Sequence, residues 1–107
     1  MTYVFDIDGT ICSKVDDGNY ENSQPWTNRI KKINSLYLEG HTIVFQTARG
    51  MGRHDNNPIL AIQDFYDLTK EQLKKWGAHY NYLFLGKPTG DYYIDDKGVN
   101  TDDFFKD

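Results

Sequence analysis

Tyr3-Val4-Phe5-Asp6-Ile7-Asp8-Gly9-Thr10 stands near the start of the chain and sets a pattern for the rest of it. Its first residues are apolar and β-favouring with no helical period, so they read as a buried strand, Tyr3 to Ile7. Gly9 punctuates it. Two carboxylates therefore stand where a strand ends and the chain turns. The same pattern returns further along the chain. Thr42 to Gln46 is a second strand, leading into Thr47-Ala48-Arg49. Tyr82 to Leu85 is a third, leading into Gly86-Lys87-Pro88, and Tyr92 to Ile94 is a short fourth, ending in Asp95-Asp96.

Helical signals lie between the strands. Trp26, Ile30, Ile33 and Tyr37 recur at spacings of four, three and four, after Pro25 and before Gly40, which is one face of a capped helix. Pro58 opens a short helix through Tyr66. Thr69 followed by Gln72 reads as a capping box for a second helix that Leu73, Trp76 and Gly77 finish. Residues 12–24 and 48–57 are polar loops. The tail from Gly98 is polar except for Val99, Phe104 and Phe105, which are expected to pack back on the core. Strands alternating with helices predict a parallel sheet with helices on its faces. In such sheets ligands bind at the carboxyl ends of the strands.

Composition bounds the alternatives. The chain has 107 residues, enough for a single domain over 1–107. Its net charge is -4, and its pI of about 5.2 argues against a non-specific nucleic-acid binder. A single cysteine, Cys12, allows no intrachain disulfide and suits a reducing, cytoplasmic location. No apolar run reaches membrane-span length, so no membrane is expected. Of the 16 acids only Glu21, Glu39 and Glu71 are glutamates. Aspartate disfavours helix interiors and prefers turns and strand ends.

At the strand ends four carboxylates, a threonine hydroxyl and a lysine ammonium converge. Clustered carboxylates need a cation, and oxygen donors without neighbouring His or Cys suit Mg²⁺. Lysine and threonine suit phosphate oxygens. Taken singly each signal has a plainer reading: Asp-x-Asp as a turn, Lys87 as a solvated lysine, Thr47 as a helix cap, Asp95-Asp96 as a surface pair. Their joint occurrence at successive strand ends favours a site.

FDIDGT, the Thr of QTAR, the Lys of GKP and the DD of YIDDK resemble, in order, the four motifs of the haloacid dehalogenase (HAD) superfamily of phosphatases. GKP followed by YIDDKGVN is most similar to its small capsule-biosynthesis phosphatase-like branch. The resemblance implies an α/β, HAD-like (Rossmann-like) three-layer sandwich with a mainly parallel sheet. It further implies Asp6 as nucleophile, forming an aspartyl-phosphate, and Asp8 as general acid and then base. Mg²⁺ would be held by Asp6, by the backbone carbonyl of Asp8 and by Asp95, with Asp96 ligating indirectly or orienting water. Thr47 and Lys87 would hold the phosphoryl oxygens. Gly9 would turn the chain so that neighbouring amides face the phosphate.

The gaps from Thr10 to Pro25 and from Thr47 to Lys87 leave no room for a cap domain, so the site is expected to be open. That suits a large substrate or a second subunit acting as a lid in a homo-oligomer. The expected activity is Mg²⁺-dependent phosphomonoester hydrolysis of a small phosphorylated metabolite such as a sugar phosphate. The alternatives are a nucleotide or polynucleotide-end phosphatase, a phospho-accepting signalling module, and an inactive metal-binding interaction domain. Arg49, Arg53 and His54 follow the second strand and have two readings, contacts to the leaving group or charges of a surface loop. His41 and His79 read as partners of helix ends. Cys12 reads as a packing residue and not as a nucleophile.

Overall fold

The computed structural model describes residues 1–16 and 18–106. Asp17 and Asp107, in the expected first loop and the tail, lie outside the described residues. The elements are β1 (Thr2–Phe5), α1 (Thr27–Leu38), β2 (Thr42–Thr47), α2 (Pro58–Lys75), β3 (Tyr82–Leu85) and α3 (Thr101–Phe104). A 3-10 turn over Tyr20–Asn22 interrupts the first loop. None of the described helices is long and apolar enough to cross a membrane.

The three strands form one parallel sheet in the order β1-β2-β3. Phe5 pairs with Phe45, and Phe45 with Leu83, so alternate residues of each strand share a face. Phe5, Ile43 and Phe45 form the core with Ile30 and Ile33 of α1, Leu73 of α2, and Ile7, Ile11 and Cys12 of the first loop. The tail closes this core. The rings of Phe104 and Phe105 lie 5.4 and 6.1 Å from that of Phe5. Arg29 anchors them through Asp102 at 2.9 Å and Thr101 at 3.2 Å, and the expected packing of both phenylalanines holds. Val99 is exposed instead.

Two expectations need correction. The first is the three-layer sandwich. α1 and α2 pack on the same face of the sheet, while Val4, Tyr82 and Phe84 on the other face are more than half exposed. When strand order follows chain order, crossovers of one hand carry every helix to the same side. A third layer would need strands added beyond β1. The second correction is the fourth strand. Residues 86–100 hold no strand or helix, and Tyr92 and Ile94 are 86% and 94% exposed. The β-preference of Tyr-Tyr-Ile is a preference for packing against paired neighbours, and among the described residues the run pairs with none.

The helices also differ in detail. α2 is one continuous helix and not two. Asn57 caps it, its side chain accepting from the amides of Ile59 and Leu60 at 3.0 and 3.3 Å, with Pro58 as its first residue. Thr69 and Gln72 therefore lie inside a helix and cap nothing. α1 begins at Thr27, two residues after Pro25, and ends at Leu38, two residues before the expected Gly40, whose amide donates to the Tyr37 carbonyl at 3.1 Å.

Candidate active site

The site grows from the turn after β1. Ile7 and Ile11 are fully buried and pin the turn to the core. The amides of Thr10 and Ile11 both donate to the Ile7 carbonyl, at 3.0 and 2.9 Å. Gly9 has φ +78°, a left-handed backbone conformation that calls for glycine. Its amide donates to the Cys12 carbonyl at 2.8 Å. Gly9 thus supplies the turn, but its own amide is already committed, as are those of Thr10 and Ile11.

With Ile7 directed into the core, Asp6 and Asp8 lie on the other side of the chain. They open onto a cavity of about 330 Å³ lined also by Lys14, Thr47 and Tyr93. One Asp6 oxygen accepts from the Ile7 amide at 2.9 Å. The other is 3.6 Å from the Lys87 ammonium. Desolvation raises the Asp6 pKa above the ordinary carboxylate value. The Lys87 charge and the Ile7 hydrogen bond oppose that rise, and the neighbouring Asp8 charge adds to it. Thr47 ends β2, buried, with its hydroxyl accepting from the Arg49 amide at 3.1 Å. The Lys87 amide donates to the Thr47 carbonyl at 3.2 Å, and the Lys87 ammonium sits 4.2 Å from the centre of the Tyr93 ring. Asp6, Asp8, Thr47 and Lys87 are thus gathered at one end of the sheet.

Arg49 takes a different place from the one expected. Its side chain is 0% exposed, and its Nε and Nη2 donate to the two oxygens of Asp8 at 2.9 and 3.0 Å. A side chain so enclosed does not meet a leaving group. His54 is also corrected: its Nε2 lies 2.6 Å from the Asp64 carboxylate of α2, and it does not line the cavity. Cys12 is fully buried, with its thiol 3.5 Å from Asp8. Burial above all, then the Asp8 charge, pushes that thiol up to about 12, so the packing reading stands. His41 bonds the N-terminal ammonium at 3.0 Å. His79 stacks on Tyr37 at 5.5 Å.

The expected metal set is only partly assembled. Asp6 suits a hard cation: its carboxylate is partly buried beside a second acid, and its desolvation is a cost that a cation would offset. Asp95 is exposed, and its Oδ1 accepts from the amides of Lys97 and Gly98 in its own turn. Asp96 beside it is exposed too. Among the described residues no three His, Cys, Asp or Glu side chains are gathered to hold a metal. As placed, therefore, Asp95 does not fit the ligand set, because no strand carries it to the sheet end.

Sequence reasoning missed Tyr20, Thr69 and Gln72, which surround Arg49. The signal was present, since polar residues three apart inside an apolar helical pattern share a face. It resembles a capping box as long as the helix is taken to start there.

No protein-family model matches the chain, and a comparison with curated proteins also finds no match. Among solved structures it is similar to a structural-genomics target from Vibrio cholerae. The identity is 27% and the TM-score 0.86, over 96% of this chain and 85% of that one. It is also similar in fold to a chain in the structure of a Pnkp1/Rnl/Hen1 complex, with 19% identity and a TM-score of 0.58, over 88% of this chain and 30% of that one. What the chain shares with them is an α/β fold built on a parallel sheet, nearly full length in the first case.

Proposed function

We propose that the protein is a HAD-type phosphomonoester hydrolase, Mg²⁺-dependent, acting on a small phosphorylated metabolite such as a sugar phosphate. The observation that carries this reading is the pairing of Asp6 and Asp8 at one cavity mouth with Lys87 3.6 Å from Asp6. Lys87 and the Thr47 hydroxyl are suited to hold the phosphoryl oxygens and to stabilise the charge that builds on them. An Asp6 oxygen attacks phosphorus, the bond from phosphorus to the leaving oxygen breaks, and an aspartyl-phosphate forms. Asp8 gives its proton to the leaving oxygen. It then takes a proton from the water that attacks the same phosphorus, which releases phosphate and restores Asp6. A bound Mg²⁺ would supply charge neutralisation between Asp6 and the phosphate; Asp6 and the Asp8 carbonyl would hold it, and Asp95 would have to leave its turn to join them.

Space for the leaving group adjoins the site. A second cavity of about 510 Å³ shares Tyr20, Ala48 and Thr89 with the first. This is room for a metabolite-sized group, and the net charge of -4 disfavours a polynucleotide. The test is hydrolysis of an aryl phosphate, sugar phosphates and nucleotides with and without Mg²⁺, for wild type and Asp6→Asn. Metal-dependent turnover, fastest on a sugar phosphate and lost in Asp6→Asn, is expected. Equal turnover by both proteins would remove Asp6 as nucleophile, and no turnover by the wild type would remove the whole reading.

A further inference from the structure

Among the described residues Arg49 is the only arginine or lysine with a fully buried side chain, and burying a guanidinium is costly unless every donor is met. Here four of its five N–H donors are met by protein acceptors. Nε and Nη2 grip the two Asp8 oxygens at 2.9 and 3.0 Å. Nη1 donates to the Thr69 hydroxyl at 3.2 Å and to the Gln72 amide oxygen at 2.5 Å. The remaining face of the group lies 4.7 Å from the centre of the Tyr20 ring. The anchors are themselves held. The Gln72 amide nitrogen donates to the Tyr20 carbonyl at 2.6 Å, and the Tyr20 hydroxyl accepts from the Gly50 amide at 3.2 Å.

Two features set this apart from a salt bridge that serves stability alone. An apolar residue of similar volume would fill the same space without the desolvation cost. And the network ends on Asp8, whose side chain is 21% exposed at the cavity. Oδ1 accepts from Nη2 and from the Cys12 thiol at 3.5 Å, whereas Oδ2 accepts from Nε and keeps a further acceptor position. Because the Arg49 amide also donates to the Thr47 hydroxyl, one residue holds Asp8 and Thr47 in fixed relation.

We propose that Arg49 is the positioning residue of this site: fastened to Thr69 and Gln72 of α2, it fixes the Asp8 carboxyl so that the open position on Oδ2, which carries the proton to be given, faces the leaving oxygen. The inference rests on the phosphatase reading, with Asp8 as the proton donor. Proton transfer demands placement within hydrogen-bond reach, and a small misplacement forfeits most of its benefit. Lysine at this position would keep the charge but not the two-pronged grip.

The experiment compares wild type, Arg49→Lys, Asp8→Asn, the double variant and Thr69→Val on two esters. Phenyl phosphate has a poor leaving group that needs a proton. Dinitrophenyl phosphate has a good one that leaves without it. Arg49→Lys is expected to lower kcat/KM on phenyl phosphate about 100-fold, and on dinitrophenyl phosphate less than about threefold. KM should change little, and the double variant should be no slower than Asp8→Asn alone. Thr69→Val, which removes one anchor at constant shape, should show the same leaving-group pattern at about a tenth of the size. It decides the matter if circular dichroism shows Arg49→Lys to be unfolded. Equal losses on both esters, or independent losses in the double variant, would overturn the positioning role while leaving the phosphatase reading intact. A wild type inactive on both esters would overturn the two together.

Discussion

The two halves of the candidate site are built in opposite ways. The half at the ends of β1 and β2 is over-determined. Ile7, Ile11 and Cys12 are sunk in the core, and Asp8 is gripped by a fully buried arginine. The half beyond β3, residues 86–100, is tied to the rest by the Thr89 amide, which donates to the Asn56 side chain at 3.0 Å, and beyond that point holds its shape through local contacts. Tyr93 donates to the Pro88 carbonyl at 2.7 Å, and Asp95 closes its own turn. Lys87 belongs to both halves, tied to Thr47 by its backbone and facing Asp6 with its ammonium. The lesson is that a site residue is as rigid as what its neighbours in sequence bury. Asp6 and Asp8 alternate with a fully buried isoleucine, whereas Asp95 follows an isoleucine that is 94% exposed.

The largest expected effect breaks or confirms this contrast directly. Phe45→Ala removes a fully buried ring from the middle strand, and should cost about 4 kcal/mol of stability. Ile94→Ala should cost less than about 0.5 kcal/mol, as surface changes do. Denaturant unfolding of both variants measures the difference. A cost above about 2 kcal/mol for Ile94→Ala would mean that the segment is packed in solution, and the contrast would fail.

A smaller effect concerns the charge that the rigid half confines. Burial raises the Asp6 pKa, so the folded state binds its proton more tightly than the unfolded chain does. That preference favours the fold at low pH and is lost as pH rises through the folded pKa. Asp6→Asn should therefore raise Tm by a few degrees at neutral pH without added metal, the gain shrinking as pH falls into the carboxylate range. A melting curve that shows no gain at neutral pH would mean that Lys87 already compensates the burial.

The smallest effect is on a rate of labelling. Cys12, with its thiol pushed up to about 12 and no exposed surface, should react with a disulfide reagent at pH 8 far more slowly than in the denatured chain. Rapid native labelling would show that the turn after β1 opens readily, and would erase the difference between the two halves.

Much of this was legible from residues alone. The three strands, α1 and the gathering of Asp6, Asp8, Thr47 and Lys87 follow from apolar runs, from helical spacing and from what stands just after each strand. These are local properties. A buried strand must be apolar, and a parallel strand must hand its next residues to one edge of the sheet. The aromatic tail was legible for the same reason, since two adjacent phenylalanines in a polar stretch need cover.

Local sequence thus sets the α/β order of elements and the polar residues collected at the strand ends. Long-range packing settled who touches whom. It turned Arg49 from a loop charge into the clasp on Asp8, because burial depends on residues 20 and 23 positions further along the chain, Thr69 and Gln72. It sent His54 to Asp64. It also left Tyr92 to Ile94 out of the sheet, because a strand is stabilised by its partners, and pairing is a property of the whole fold and not of three residues.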